Sequence, residues 1–226
     1  GDIHAYSMNC NNLAIRYRYK EQRFEEALAL HHKGLASSPF AEHKEGAMWC
    51  QYELKRYPEF VEAAEQLWHY AQDHGFSRHD PSTYFGRVGW ALVHLNRSAE
   101  IEIWLDRARE LRRGLSDDDS DLPGLLGCEA VLLDYLYSHK PKDCDARISG
   151  IAPLLMQVGN MWALGRLGDL YLTANQPDKA LLALQRAEAA YDPTRDGQSR
   201  VDGVRQSIAN ALKAIKKQKP LWRRWL

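Results

Sequence analysis

The chain has 226 residues, 45% apolar and 27% charged, an ordinary balance for a globular protein large enough to bury a substantial core. Thirty basic and thirty acidic residues give a formal net charge of zero, so no global field favours nucleic acid or an anionic membrane. Its longest apolar runs, such as residues 130–137, are too short to span a bilayer, and no secretory signal is visible.

Read in chain order, the sequence repeats one plan. Residues 11–19, NNLAIRYRY, form an apolar-periodic run, KEQR breaks it, and FEEALALHHKGLASSP starts a second run that Pro39 closes. A less regular unit follows around Gly46 and Trp49. The third unit reads TYFGRVGWALVHL, NRSA, then EIEIWLDRARELRR over residues 83–113. An acidic stretch, Asp117, Asp118, Asp119 and Asp121, precedes the fourth, where it either caps and links or offers a contact to a basic partner. The fourth unit holds Gly124 and Gly127, and Pro153 should kink or restart its second helix. In the fifth, MWALGRLGDLYLTA ends at NQPD, where Asn175 suits a helix C-terminus and Pro177 the first turn of the next helix. KALLALQRAEAAY then places Ala180, Leu184, Ala187 and Tyr191 on one side. A further helix is expected near 198–217, then a basic, aromatic tail, so the division is a helical domain over 1–217 and a tail over 218–226. No convincing period-2 strand is present.

The spacing ties these units together. Gly86 and Gly89, Gly124 and Gly127, and Gly165 and Gly168 each stand three apart, and their first members are separated by 38 and 41 residues. A period near 40 with small residues at one helical position marks a repeat array, because small side chains let helices approach closely.

Leu167-Gly168-x-x-Tyr171 followed by Ala180, Leu184 and Ala187 resembles the tetratricopeptide repeat pattern. Val88-Gly89-x-x-Leu92 with Leu105 and Ala108 is similar to it, with Ile101 in place of a small residue. Leu13-Ala14-x-x-Tyr17 with Ala27 and Pro39 fits if one residue is inserted in the turn. The fold class expected is all-α: an α-solenoid of about five antiparallel hairpins, in the longer-helix style of that family, with a C-terminal capping helix. The resemblance implies a protein-binding module whose first helices line a concave groove holding a partner protein or peptide. By register that groove presents Arg18 and Tyr19, Trp90 and His94, and Asp169 and Thr173, although Trp90 equally suits packing between hairpins. Asn11 and Ile15 stand where family members that clamp a C-terminal carboxylate carry Lys and Asn, which speaks against that activity.

Catalytic and metal chemistry find little support. His69, His74 and His79 are spaced by five, which sets successive rings about 140° apart on a helix at ~100° per residue. His31 and His32 are adjacent and diverge. The GxxG pairs sit inside helices, away from the strands that a KH-type nucleic-acid loop requires. No HExxH, GxSxG or phosphate-binding loop occurs. Cys10, Cys50, Cys128 and Cys144 lack CxxC spacing and predict reduced, half-buried thiols in a cytoplasmic protein, with a disulfide as the alternative. No enzyme activity, cofactor, metal or nucleic-acid partner is expected. The tail, with Trp222, Arg223, Arg224 and Trp225, has three destinations: a membrane surface without stable insertion, single-stranded nucleic acid, or a hydrophobic groove. The groove, the chain's own or a second copy's, is the favoured one and makes the tail a cap or a homodimer contact. The function expected is a small bacterial interaction protein that neutralises or chaperones a toxin or secreted effector. The alternative is the peptide-sensing regulatory domain of a larger regulator, for which the missing initiator Met leaves room.

Overall fold

Four helix-ending residues adopt left-handed backbone, and they punctuate the chain. In the computed structural model, which describes residues 3–38, 41–74, 82–115, 122–139, 144–194 and 196–218, Gln22, Lys55, Asn96 and Asn175 have φ between 54° and 57°. Each follows a first-of-pair helix: α1 (Ile3–Arg16, continued by a π-helical turn Tyr17–Glu21), α3 (Ala41–Glu53), α5 (Ser82–His94) and α9 (Met161–Thr173). Their partners are α2 (Phe24–Ser37), α4 (Tyr57–His74), α6 (Ile101–Arg113, entered by a short 3-10 turn) and α10 (Pro177–Ala189). The pair α7 (Leu122–His139) and α8 (Cys144–Val158) and a last helix, α11 (Gln198–Gln218), complete an all-α array, with no strand among the described residues.

The turn chemistry is one motif used four times. After the left-handed residue, the next N–H closes back on the preceding helix: Arg56 to Gln51 O, Arg97 to Leu92 O and Gln176 to Tyr171 O, at 2.8–2.9 Å. That is the closure which satisfies helix-end carbonyls and reverses the chain. In the first hairpin Arg23 N–H reaches Tyr17 O at 2.9 Å, one residue further back. The inserted residue expected in that turn is therefore absorbed inside the helix, as the π-helical turn. Asn175 ends α9 and Pro177 opens α10, as the sequence predicts.

The helices gather into two compact units. The first comprises residues 1–80 and 87–97, the second 81–86 and 98–226. In the first, α1 packs on α2, α2 on α3 and α3 on α4. In the second, α6 packs on α7, α7 on α8 and α9, and α10 on both α9 and α11. Each unit thus packs antiparallel hairpin on hairpin.

Glycines set the close contacts. A Cβ on Gly168 would fall 2.4 Å from Leu184 Cγ, so that glycine lets α9 lie against α10. A Cβ on Gly127 would fall 1.7 Å from the outer carbons of the Trp162 ring, where α7 meets α9. Gly86 against Val131 and Gly165 against Val204 are the milder versions, at 3.3 and 3.5 Å. Glu129, 2% exposed on α7, is paired with Arg112 and lies 3.7 Å from Arg109, both on α6. Burial of that carboxylate requires such pairing.

The first unit contains a reciprocal lock. His31-x-x-Gly34 on α2 faces His43-x-x-Gly46 on α3, and each ring lies where the other motif's glycine would carry a Cβ, 2.1–2.2 Å from the nearest ring atoms. Both rings are 1% exposed, their Nδ1 atoms 3.3 Å apart. His43 Nε2 is 2.9 Å from Oγ of the buried Ser7 on α1. His31 Nε2 has no partner among the described residues. A tautomer with His31 Nδ1–H donating to His43 leaves that buried Nε2 a bare acceptor rather than an orphaned donor. Burial, the charge of His43 and those of Arg18 and His32 hold the His31 pKa down at about 3. Burial also lowers His43, against the opposing pull of Ser7 and Glu42.

Two expectations need correction. Pro153 does not restart a helix: α8 runs through it, without the one backbone bond that proline cannot donate. Cys10, Cys50 and Cys128 are free thiols but fully buried rather than half-buried, because they sit on the inward stripes of α1, α3 and α7. Leu13 is 38% exposed, and Ala14 takes the core position beside it. The acidic residues 117–121 and the tail residues Trp222, Arg223, Arg224 and Trp225 lie outside the described residues.

A histidine kept neutral by burial makes unfolding take up a proton once the pH falls below the unfolded value near 6.5. Stability is therefore at its plateau above pH 7 and declines as pH falls towards 3, by up to roughly 1.4 kcal/mol per pH unit for each such proton. Thermal melts at pH 7 and pH 4.5 should show His31→Gln losing less stability over that interval than the wild type. An equal loss in both would mean that His31 is not the acid-sensitive group.

Candidate functional site

The outward faces of the first-of-pair helices carry two different surfaces. In the second unit the face is a polar ladder. Thr173 Oγ1 on α9 donates to Asp134 Oδ1 on α7, and Ser207 Oγ on α11 donates to Asp169 Oδ1 on α9 at 2.9 Å. Arg166 Nη1 lies 3.7 Å from Asp169 Oδ2, one turn earlier on the same helix. Three helices are thus bridged by hydroxyl-to-carboxylate bonds along one side. Burial raises the Asp169 pKa above the usual carboxylate range, Ser207 and Arg166 oppose the shift, and the negative charge of Asp134 adds to it. A group whose pKa is raised on folding opposes folding when it is ionised.

In the first unit the face is aromatic and cationic. The Arg87 guanidinium on α5 lies 4.4 Å from the centre of the Trp49 ring and 5.6 Å from that of Tyr52, both on α3. Trp90 is 39% exposed, its ring centre 4.3 Å from that of His94. His94 also packs on Tyr57, at 5.1 Å, and its Nδ1 donates to the Trp90 carbonyl at 3.0 Å. Tyr52 joins the string between Tyr57 and Phe60. Flat rings with a guanidinium stacked among them match the side chains that dominate binding hot spots.

The residues expected from the sequence fall into these surfaces in part. Asp169 and Thr173 are brought onto one face by the ladder, and Trp90 and His94 onto another by ring stacking. Arg18 and Tyr19 lie in the π-helical turn that ends α1, where the Arg18 guanidinium covers the Tyr19 ring at 4.2 Å and bonds its hydroxyl. Tyr19 is 68% exposed there. Five residues were missed: Trp49, Tyr52 and Tyr57, which lie in the unit with the weakest repeat motif, together with Arg87 and Asp134. A signal for two of the rings was present, since Arg87, Trp90 and His94 stand three and four apart, as Trp49 and Tyr52 stand three apart.

Large exposed apolar side chains are concentrated on α1, where Ile3, Tyr6, Met8, Leu13 and Ile15 are each 38–64% exposed. Among the described residues no three metal-ligating side chains converge, and no helix is long and apolar enough to cross a membrane. His69 pairs with Glu65 at 3.4 Å. The side chains of His74 and His79 lie outside the described residues.

No family model and no curated protein matches this chain. Among solved structures, the TPR2AB domain of yeast Sti1 in its complex with pHSP90 is similar at 13% identity, covering 92% of this chain and 99% of that one, with a TM-score of 0.37.

The Asp169 environment yields a signed expectation. Asp169→Asn keeps an acceptor for Ser207 and removes the half-buried charge, so it should raise the thermal midpoint at pH 7 and leave it unchanged near pH 3, where the wild-type carboxyl is protonated in both states. Melts at the two pH values decide the point; a lower midpoint at pH 7 would show that the charge stabilises the fold.

Proposed function

We propose that this chain is a non-enzymatic protein-interaction module that holds a segment of a partner protein against the outward faces of its first-of-pair helices. The observation that carries this reading is the Arg87–Trp49 and Trp90–His94–Tyr57 cluster, where guanidinium and ring faces are stacked rather than buried in the core. A partner segment with apolar or aromatic side chains and a carboxylate fits such a surface, since indole and guanidinium supply flat contact area and a charge-assisted bond. The polar ladder of the second unit suits a segment rich in hydroxyl, amide or basic side chains. The narrower assignment, neutralising or chaperoning a toxin or secreted effector in a bacterial cytoplasm, is supported by chain size and neutrality alone.

Affinity capture with mass spectrometry identifies the partner, and calorimetry with the purified pair then locates its site. Trp90→Ala and Arg87→Ala should each weaken binding at least tenfold, the loss of about 1.4 kcal/mol or more expected of a hot-spot residue. Leu182→Ala and Ile103→Ala, on the exposed outer sides of α10 and α6, should leave affinity unchanged. The reverse pattern would place the partner on the second-of-pair helices and overturn the reading.

A further inference from the structure

The contacts of the histidine lock all join the first hairpin to α3. Ser7 Oγ on α1 and His31 Nδ1 on α2 both meet His43 on α3. The two ring-over-glycine contacts, His43 over Gly34 and His31 over Gly46, cross between α2 and α3 as well. Around them Ala14 on α1, Ala27 and Leu28 on α2, and Ala47 and Cys50 on α3 form one buried cluster. The hairpin α1–α2 is thus docked on α3 through a patch whose polar centre is a pair of imidazoles.

That centre has no place for another proton. In the tautomer that leaves no orphaned donor, His31 Nδ1–H donates to His43 Nδ1, and His43 Nε2–H donates to Ser7 Oγ. A proton added at His43 Nδ1 sets two N–H groups head to head across 3.3 Å. One added at His31 Nε2 finds no acceptor among the described residues. Burying such a cationic donor unpaired is costly. Arg18, from the turn that ends α1, and His32 on α2 oppose a positive charge on His31, while Ser7 on α1 and Glu42 on α3 favour one on His43. Neither ring can swing to water in place, because each is seated over the other helix's glycine. The second unit has no buried histidine among its described residues, and its Asp169 is relieved of a burial cost as it protonates.

We infer that acid undocks the hairpin α1–α2 from α3 while the second unit stays folded, so that the histidine lock is a proton-operated latch. Undocking lets both imidazoles take up protons in water and uncovers Cys50, and it reverses when the protons leave. The latch stands apart from the partner-binding reading and does not depend on it.

Thiol labelling of the full chain with 4,4′-dithiodipyridine, which reacts in acid as well as at neutral pH, tests this when each cysteine is read by mass spectrometry. Cys50 is 0% exposed on α3, and Cys128, 3% exposed on α7 of the second unit, is the internal control. Between pH 6.5 and pH 4.5 the Cys50-to-Cys128 labelling ratio should rise about 100-fold, tenfold per pH unit for one proton taken up on opening. Returning to pH 6.5 should restore the starting ratio. In His31→Gln with His43→Gln the ratio should change by less than about threefold. Should that variant fail to fold, the wild-type imidazole Hε1 shifts by NMR take its place: those of His31 and His43 should stay at neutral-ring values until Cys50 opens. An equal rise at both cysteines, an unchanged ratio or a full rise in the folded double variant overturns the proposal. So do His31 and His43 rings that titrate near pH 6.5 while Cys50 remains shielded.

Discussion

A ring seated where a side chain's first carbon would otherwise stand is the contact on which the packing of this protein depends. Trp162 occupies that place over Gly127, His43 over Gly34 and His31 over Gly46, and Leu184 does the same over Gly168. Helices carrying larger residues at these points would be held further apart, since interaxial distance follows side-chain size at the crossing. Close approach in turn fixes rotation. Once a ring is lodged over a glycine, a turn of either helix about its axis drives it into backbone. The outward residues of α3, α7 and α9 are thereby set by packing.

That constraint explains how polar groups on separate helices meet. Asp134, Asp169, Thr173 and Ser207 come from three helices, and their hydroxyl-to-carboxylate bonds need side chains of two or three bonds' length to span the gaps. The Arg87 guanidinium likewise reaches Trp49 and Tyr52 because α3 and α5 present these groups at matching height. Close, regular helices make short side chains sufficient, and they leave a face of ordered hydrogen-bonding and aromatic groups. Burial disfavours the charged form of Asp169 there, with Ser207 and Arg166 opposing that cost.

The hairpins were legible in the sequence wherever the signal was local. Asn175 before Pro177 identifies a turn from two residues, and Ala180, Leu184 and Ala187 announce their buried face by spacing alone, each 0% exposed. The first hairpin was legible down to its extra residue, although whether that residue sits in the turn or in the helix depends on hydrogen bonding that composition does not encode. Pro153 misled because a single missing bond is tolerable where the rest of α8 is packed. The histidine lock was out of reach for a different reason. His31 and His43 each look like isolated polar residues, and only the packing of α2 on α3 turns two HxxG motifs into one interlocked pair. Trp49 and Asp134 share that fate: their role lies in which helix comes to lie beside them.

The central claim is that ring-over-glycine contacts set the helix register, and a double-mutant cycle at Gly127 and Trp162 tests it most directly. Gly127→Ala should destabilise the wild type strongly, because the new methyl meets the indole at a distance no real contact allows. With Trp162→Ala already in place, the same substitution should be nearly neutral, giving a coupling energy of about 1 kcal/mol or more by chemical denaturation. Strictly additive effects would contradict the account, since they would mean that α7 and α9 find their register without the ring.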